Sequence, residues 1–356
     1  MKPPEKIIVL TKSEPDYGGH SSYYTQAFRF PAEEGMRIGI IRPGRSLFGR
    51  MVGKVFSTII KSPPRDQNLA YAEFRFLLAR LGQGGEALCH IAAIEDHLPL
   101  LRFIRRPECK WIGTVHFPPS CWSTEDCSAL ANLGTIVTLC ERDRKYFQAV
   151  SGAERVVCIP HGVEVDYFCP ALNGRSGPHR LLFVGKWLRD FDMAGSVLAA
   201  CLEKWKDVEV DIVVARRWTA GTKLDALHGM PRVSWLENVS DDALRSLYQQ
   251  ASLLVMPLKE TSANNAIVEA LACGLVPVVN NVGGISDYGG GGIYPLCQGN
   301  DREEYLRIIG DYLASDELRS RVSRECRQFA KSNLNWRIIR SRHLALYREI
   351  AITKRL

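Results

Sequence analysis

The chain has 356 residues, which is long for one globular core and predicts two domains. Hydrophobic residues make up 46% and charged residues 24%, a balance typical of soluble globular proteins. The net charge of +7 is shared between the two halves, with +4 up to Gly177 and +3 after it. The composition therefore favours anionic partners in general, and we predict no nucleic-acid partner.

Cysteine spacing and hydropathy exclude several other classes of protein. The 11 cysteines contain no Cys-x-x-Cys pair, and apolar surroundings such as those of Cys158 are typical of reduced core thiols. Neither a disulfide framework nor a zinc site is predicted. The opening apolar run, Ile7 to Leu10, is too short for a signal peptide, and no stretch approaches the roughly 18 apolar residues that span a bilayer. We therefore expect a cytoplasmic protein without a metal site.

Short apolar runs alternate with helical patterns along the chain, which predicts parallel sheets covered by helices on both faces. In the first half, the predicted strands are Ile7–Leu10, Met36–Ile41, Trp111–Val115, Thr135–Leu139 and Val156–Ile159. In the second half, they are Leu181–Val184, Val208–Val214, Leu253–Met256 and Val276–Val279. The clearest predicted helices of the second half are Asp241–Gln250 and Ala263–Ala272.

The pattern starts afresh after residues 170–178, a short stretch with two prolines and two glycines. Such a stretch is typical of a linker, and it predicts Rossmann-like domains at residues 1–172 and 178–335. Both domains would be doubly wound α/β sheets. Ligands of such sheets bind at the carboxyl ends of the strands, so we expect the functional site in a cleft between the two domains.

One stretch of the first domain is basic and amphipathic. Between Arg37 and Arg65 there are seven basic residues and no acidic one. Apolar residues recur there in adjacent pairs at every fourth position, which predicts a helix with one apolar stripe ending before Pro63. The residues of the stripe are Leu47, Phe48, Met51, Val52, Val55, Phe56, Ile59 and Ile60.

Two interpretations of this stretch stay open. The simpler one is that the stripe packs on the sheet of the first domain, as helices of Rossmann-like domains do. The other is that residues 45–61 lie on an anionic bilayer, with Arg50, Lys54 and Lys61 beside the stripe. The second interpretation predicts a peripheral location on the inner face of the membrane.

Two loops of the first domain are candidates for ligand contact. Gly18 and Gly19 follow the opening strand, and paired glycines let the backbone approach a phosphate closely. They lack the full Gly-x-Gly-x-x-Gly, which counts against a dinucleotide site. His116 ends the strand Trp111–Val115. A histidine at a strand end is more often structural, but a position facing the expected cleft favours a functional role.

The most specific segment lies in the second domain. A predicted helix begins near Asn264 and Asn265, ends at Gly274 and leads directly into a strand. Free N–H groups at its start can hold a diphosphate. Glu269 lies within its apolar part, where a carboxylate needs a partner such as the two vicinal hydroxyls of a ribose. The alternative for Glu269 is an ordinary carboxylate on the helix surface.

The order of segments resembles that of the retaining glycosyltransferases of family 4, which have the GT-B fold. The resemblance covers nearly the whole chain, most closely in the second half and least closely from Arg42 to Lys110. The matching segments are Gly18-Gly19, Thr114-Val115-His116, Ile159 to Glu164, Leu182 to Lys186, Val239 to Leu244, Tyr248, Glu269 to Val279, Gly283-Gly284 and the closing Trp336 to Tyr347.

The resemblance implies roles for individual residues. Glu269 would hold the ribose of the donor nucleotide, His116 would lie beside the donor sugar, and Gly18-Gly19 would lie near the diphosphate. Lys186 stands where the family usually has an arginine that neutralises the leaving diphosphate. The last segment, residues 336–356, would form a helix that crosses back to the first domain.

Two departures from the family pattern concern the same site. The family's paired glutamates stand eight positions apart, and the residue eight before Glu269 is Thr261, with Glu260 one step off. Either Thr261 and the Asn264-Asn265 pair replace that contact, which we favour, or a shifted loop returns Glu260 to the site. The family's lysine, five residues after the basic one, is absent, and Arg189 is the nearest residue that could supply the charge.

The sequence therefore predicts a retaining hexosyltransferase of glycan biosynthesis, with a nucleotide-diphosphate sugar as donor and a glycan or lipid-linked acceptor. Fixed N–H groups, Lys186 and Arg189 would stabilise the charge on the leaving phosphate. No cofactor and no metal ion are expected. The alternatives are a catalytically inactive scaffold of the same fold or another GT-B enzyme, such as a sugar-nucleotide epimerase or a phosphorylase.

Overall fold

The computed structural model describes residues 6–11, 24–29, 37–63, 65–83, 87–104, 108–172 and 177–353. Gly18 and Gly19 lie outside these ranges. The described residues form two compact units, one made of those up to Pro160 together with those from Arg337 onward, the other of His161 to Trp336. Each unit contains a six-stranded sheet in which all pairs are parallel.

The sheet of the first unit has the strand order β2-β1-β3-β4-β5-β6. Its strands are β1 Lys6–Leu10, β2 Arg37–Ile41, β3 Leu88–Ile91, β4 Glu108–Thr114, β5 Leu133–Thr138 and β6 Arg155–Cys158. The α-helices between these strands are α1 Leu47–Ile59, α2 Gln67–Leu81, α3 Leu98–Phe103, α4 Thr124–Ala129 and α5 Glu141–Val150. The predicted strands of this half are confirmed, and β3 was not predicted.

The sheet of the second unit has the order β12-β11-β10-β7-β8-β9. Its strands are β7 His179–Val184, β8 Val208–Val213, β9 Val233–Leu236, β10 Leu253–Val255, β11 Val276–Asn280 and β12 Leu296–Cys297. Its helices are α6 Phe191–Lys204, α7 Asp241–Gln250, α8 Asn265–Ala272, α9 Arg302–Ala314 and α10 Asp316–Phe329. The sheet has the doubly wound topology of dinucleotide-binding domains, with its switch point between β7 and β10.

The division between the units falls before the predicted linker. Residues 161–172 belong to the second unit, because Val163, Val165 and Phe168 pack in its hydrophobic core. The backbone N–H of Val163 also donates to the carbonyl of Leu334, at 2.7 Å. The segment that the sequence placed at the end of the first domain is thus the entry to the second one.

The closing helix, α11 Trp336–Thr353, returns to the first unit as predicted. Its side chains enter a buried polar network there. Tyr347 Oη lies 2.7 Å from His90 Nδ1 on β3, and His343 Nε2 lies 2.9 Å from Tyr24 Oη. Thr114 Oγ1 links the two branches, at 2.7 Å from His90 Nε2 and 3.3 Å from Tyr24 Oη.

Both histidines of this network are neutral at neutral pH. Burial lowers the pKa of His343 to about 4, and burial is also the main reason that the pKa of His90 lies well below its usual value. His343 Nδ1 donates to the carbonyl of Ile339, at 2.9 Å. The network therefore satisfies buried polar groups and attaches α11 to the sheet, so we assign these histidines a structural role.

Helix α1 packs on α2 through two glycines. A Cβ on Gly53 would lie 1.9 Å from the carbonyl oxygen of Gln67, and one on Gly49 would lie 2.7 Å from Tyr71 Cδ1, so only glycine allows this approach. Helix α2 in turn packs on β1 and β2. Helix α1 is therefore separated from the sheet by α2 and forms an outer layer of the first unit.

The apolar stripe of α1 divides into a covered and an uncovered part. Phe56 and Ile60 are buried. The uncovered residues are Leu47, Phe48, Met51, Val55 and Ile59, whose exposure lies between 60% and 80%. The expectation that the whole stripe packs on the sheet is therefore wrong, because α2 occupies that place. Within the described ranges, no helix combines the length and apolar character that crossing a membrane requires.

Candidate active site

The switch point of the second sheet brings two loops together. The loop after β7 and the loop after β10 pair through their backbones. The N–H of Asp190 donates to the carbonyl of Pro257, at 3.0 Å, and the N–H of Lys259 donates to the carbonyl of Leu188, at 2.9 Å. Ligands of doubly wound sheets bind at this place, and most of the predicted donor-site residues lie on these loops or on α8, which follows the second one.

Arg189 is fixed in the first of these loops. Its Nε donates to the carbonyl of Val184, at 3.0 Å, and its Nη1 donates to that of Trp187, at 2.9 Å. Its Nη2 donates to Oδ1 of Asn264, at 3.2 Å. A Cβ on Gly185 would lie 2.9 Å from that Nη2, and the φ of +88° at this position also favours glycine. The loop therefore holds one guanidinium against the start of α8.

The charge of this guanidinium is retained despite its surroundings. Burial lowers the pKa of Arg189 to about 10, which still leaves it protonated at neutral pH. A fixed positive charge beside helix N–H groups is the arrangement that stabilises a developing anion without reorganisation.

Lys186 takes a different direction from Arg189. Its side chain is exposed, and its Nζ lies 3.8 Å from the centroid of the Trp218 ring, a cation–π contact. Trp218 follows β8 and is 48% exposed. The two predicted cations thus have different neighbours. Sequence patterns did not identify Trp218, because no strand or helix periodicity distinguishes it.

The start of α8 combines an amide cap with free N–H groups. Asn264 is the N-cap, and its Oδ1 accepts from the N–H of Ile267, at 3.4 Å, as well as from Arg189. Asn265 is the first helical residue and is exposed. The first N–H groups of an α-helix have no partner within it and carry a partial positive charge. This end of α8 can therefore receive an anion beside Arg189.

Glu269 lies in the middle of α8 and is only 3% exposed. The alternative of an ordinary surface carboxylate is therefore wrong. The hydroxyl of Tyr248, on α7, donates to Glu269 Oε2, at 3.0 Å. Burial, followed by the charge of Glu269, holds the pKa of Tyr248 well above its usual value. The carboxylate is thus positioned by a tyrosine from the neighbouring helix.

The segment before α8 contains Thr261 and Glu260, the two candidates for the place of the first of the family's paired glutamates. Thr261 is buried, and its hydroxyl donates to the carbonyl of Ala263, at 3.1 Å. Glu260 Oε1 accepts from the N–H of Thr261, at 3.0 Å, and would lie 3.0 Å from a Cβ on Gly283. The N–H of Gly284 donates to the carbonyl of Thr261, also at 3.0 Å. The Thr261 hydroxyl is thus bonded within its own loop, and the Glu260 side chain lies at the Gly283-Gly284 turn. These contacts favour the alternative in which Glu260, and not Thr261, takes the place of the family's first glutamate.

His116, in the first unit, is held through both its ring and its backbone N–H. Its Nε2 donates to the carbonyl of Ala92, at 2.7 Å, and its ring meets that of Tyr24 edge-on, with centroids 4.7 Å apart. The carboxylate of Glu95 accepts from the backbone N–H of His116 and, at 2.7 Å, from that of Phe117. The side chain and backbone of His116 are therefore fixed by the segment after β3.

Glu95 is a residue that the sequence analysis missed. Burial raises the pKa of Glu95 to about 7. It follows β3, and because that strand was not predicted, the loop after it was not considered. The short apolar run at Leu88 with a carboxylate a few residues later is the signal that could have identified it.

The prediction of a metal-free site stays a prediction. Across the part of the chain that the structure describes, no three His, Cys, Asp or Glu side chains are grouped so that they could hold a metal ion. Neither the described backbone nor the side chains around α8 bear on the predicted contact of Gly18 and Gly19, which lie outside the described residues.

Comparison with known protein families gives a match to one part of the chain. A family model described as glycosyl transferases group 1 matches residues 178–315. That match spans β7 through α9, and it contains both switch-point loops and α8. The resemblance inferred from the sequence is confirmed over this range.

Two curated glycosyltransferases are similar to part of the chain. D-inositol 3-phosphate glycosyltransferase of Corynebacterium urealyticum is 24% identical over 215 residues, which cover 57% of this chain and 47% of that protein. GDP-mannose:cellobiosyl-diphosphopolyprenol alpha-mannosyltransferase of Xanthomonas oryzae pv. oryzae is 27% identical over 162 residues, 44% of this chain and 42% of that protein. The chain spans slightly less than half the length of these relatives.

A solved structure is similar over nearly the whole chain. Sucrose-phosphate synthase from Thermosynechococcus elongatus superimposes with a TM-score of 0.72 at 16% identity, covering 97% of this chain and 99% of that one. At this identity the likeness concerns the fold. The predicted GT-B fold, with two Rossmann-like units and a closing helix in the first, is confirmed.

Proposed function

We propose that the chain moves a sugar from a nucleotide-diphosphate sugar to an acceptor hydroxyl, because residues 178–315 match the model of the group 1 glycosyl transferases. The observation that carries this proposal is the convergence of three groups at one switch point. Arg189 lies in the loop after β7 and donates to Asn264, the N-cap of α8, and the buried carboxylate of Glu269 lies in the middle of α8. A guanidinium and helix N–H groups suit a diphosphate, and a carboxylate suits a ribose.

In this proposal, the bond between the anomeric carbon and the leaving oxygen breaks, and its electron pair goes to the diphosphate. The acceptor oxygen bonds to the anomeric carbon on the same face, so configuration is retained, and its proton passes to the leaving phosphate. Arg189 and Lys186 lower the energy of the charge that builds on the diphosphate. We propose that Glu260 and Asn265 contact the sugar and phosphate of the donor, and that His116 contacts the donor sugar. The reaction requires no cofactor beyond the donor.

The acceptor of this proposal is a glycan or a lipid-linked sugar. One relative, by its name, acts on a cellobiosyl-diphosphopolyprenol. The uncovered apolar stripe of α1 is a surface that could bind a membrane containing such an acceptor.

Product analysis tests the proposed function. The protein is incubated with a panel of UDP-, GDP- and ADP-sugars and a lipid or glycan acceptor fraction, and the products are identified by mass spectrometry. We expect one donor class to give a product heavier by one hexose, with the anomeric configuration of the donor by NMR. A chain that transfers nothing from any donor would be a scaffold that keeps the fold without turnover.

We also propose a peripheral location on the inner face of a membrane, in which α1 lies on an anionic bilayer. Met51 and Val55 are examples of its large exposed apolar residues, and the stretch from Arg37 to Arg65 has seven basic residues and no acidic one. A helix with bulky apolar groups and only positive charges suits an anionic surface. Each basic residue near such a surface contributes about 1 kcal/mol, which is lost as salt rises.

Vesicle flotation checks this contact. We expect recovery with anionic vesicles at low salt, little recovery with neutral ones, and a loss of roughly tenfold when Phe48 and Met51 are both replaced by alanine. Leu172, which is also fully exposed but lies outside α1, provides the matched control, Leu172→Ala. Equal recovery of the wild-type protein with neutral and anionic vesicles would remove the membrane proposal.

A further inference from the structure

A cavity of about 540 Å³ lies at the first turn of α1, where this helix meets the start of α2. Its volume falls within the range of ligand sites, roughly 300–1,000 Å³. Its lining includes Arg45, Leu47, Arg50, Arg65 and Asp66. It belongs to the first unit and is separate from the switch-point loops.

The lining is predominantly cationic. Arg45, Arg50 and Arg65 outnumber the single lining carboxylate, Asp66. That carboxylate is used locally, because its Oδ1 accepts from the N–H of Asn68 as the N-cap of α2, at 2.9 Å. Arginine is the side chain best suited to a phosphate, since its planar guanidinium can donate two parallel hydrogen bonds.

Arg65 is held rigidly at the wall of the cavity. Its Nη1 donates to Glu73 Oε1, at 2.7 Å, and its Nη2 pairs with the other carboxylate oxygen. Glu73 is fully buried and also meets His97 Nδ1, at 2.7 Å. This pairing offsets much of the charge of Arg65. Arg45 and Arg50 also line the cavity, and both are exposed.

The cavity is continuous with the uncovered apolar stripe. Leu47 lines the cavity and is also the first residue of the stripe, with 80% exposure. Arg50 lines the cavity and directly precedes Met51, another exposed residue of the stripe. An amphiphile whose chains contact the stripe would therefore place a headgroup next to Arg50.

We propose that this cavity binds a phosphate group, supplied by the headgroup of an anionic lipid. The inference rests on the proposed membrane contact and adds a specific site to it. The general contact requires only negative surface charge, whereas the cavity favours a headgroup that presents phosphate oxygens to two arginines.

The test compares two neutralising variants of the full chain. Arg50→Gln removes a cation of the cavity, and Lys54→Gln removes a cation of the same helix that is outside the cavity lining. Binding is measured by flotation with two kinds of phosphatidylcholine vesicle matched in surface potential. One kind contains phosphatidic acid, and the other contains a fatty acid, whose charge is a carboxylate.

We expect the wild-type protein to prefer phosphatidic acid vesicles about tenfold, because a phosphomonoester presents three acceptor oxygens and up to two negative charges, whereas a carboxylate presents two oxygens and one charge. Arg50→Gln should abolish this preference, and Lys54→Gln should weaken binding to both vesicles equally while keeping the preference.

Calorimetry with inorganic pyrophosphate distinguishes a lipid headgroup from a soluble compound as the source of the phosphate. Binding of pyrophosphate that depends on Arg50, without any headgroup preference, would assign the site to a soluble phosphate compound.

Two results overturn the proposal. One is the absence both of a headgroup preference and of pyrophosphate binding in the wild-type protein. The other is an identical effect of Arg50→Gln and Lys54→Gln on every ligand. In either case, recovery with anionic but not with neutral vesicles would still support the general membrane contact. Nucleotide release from a donor is measured independently. Failure of the phosphate site can therefore be distinguished from failure of the membrane contact or of the proposed transferase function.

Discussion

Replacing Glu269 by glutamine is expected to weaken the binding of a nucleoside diphosphate by about 100-fold, because two charge-assisted hydrogen bonds to ribose are weakened together. Glutamine retains an oxygen that can accept from the hydroxyl of Tyr248, so the fold should be preserved. Calorimetry with UDP, GDP and ADP measures the loss. Unchanged affinity of the variant for every nucleotide that the wild-type protein binds would refute the assignment.

Tyr248→Phe is the control for this experiment. It removes the hydroxyl that donates to Glu269 and leaves the carboxylate in place. If Glu269 served only to satisfy Tyr248, the two variants would bind nucleotides alike. We expect Tyr248→Phe to retain affinity within a few-fold.

Glu269→Ala is a less suitable variant for this experiment than Glu269→Gln. Because Glu269 is buried, alanine would leave the Tyr248 hydroxyl without this partner, at a cost of about 1–3 kcal/mol in the free energy of unfolding.

Replacing Arg189 by glutamine is expected to lower kcat by about 100- to 1,000-fold, with acceptor KM changed by less than about threefold. The reason is that its charge matters most while the diphosphate departs, and three hydrogen bonds hold it in place. Lys186→Gln should lower kcat in the same sense but less, because this side chain is exposed and lies on Trp218. Single-turnover kinetics separate the chemical step from product release.

A matched control is Arg307→Gln, on the exposed surface of α9, where Arg307 pairs with Asp311. It removes the same charge away from the switch point, and we expect kcat to stay within twofold. If kcat were unaltered in both Arg189→Gln and Lys186→Gln, the leaving-group assignment would fail.

The sequence predicted the strands that are continuous apolar runs, and it missed β3, β9 and β12 for physical reasons. Strand β3 contains His90, whose polarity interrupts the pattern although its ring is fully buried in the network with α11. Strand β9 lies at a sheet edge and is only partly buried, so it carries polar Ser234. Strand β12 has two residues, too few to show a period.

The loops of the candidate site could be predicted because they follow recognisable strands, but their contacts could not. Nothing in the sequence shows that Arg189 turns back to Asn264 while Lys186 turns to Trp218. Such directions depend on which loops are neighbours in the sheet order. The position of Glu260 at the Gly283 turn likewise depends on a backbone contact between distant segments.

The exposed stripe of α1 shows the same limit. Periodicity identifies an amphipathic helix, but it does not show which element covers its apolar face. Gly49 and Gly53 direct α1 onto α2 instead of the sheet, and that leaves residues such as Met51 uncovered.

The measurement that tests the central claim most directly is the release of nucleoside diphosphate from sugar nucleotides by the purified chain. The account predicts release with at least one of the UDP-, GDP- and ADP-sugars in the presence of acceptor, together with a loss of about 100-fold or more in Glu269→Gln at subsaturating donor. Tyr248→Phe should stay close to the wild-type rate. No release above the buffer rate from any donor, or release that is equal in the wild-type protein and in Glu269→Gln, would contradict the assignment of the donor site to the switch point of the second unit.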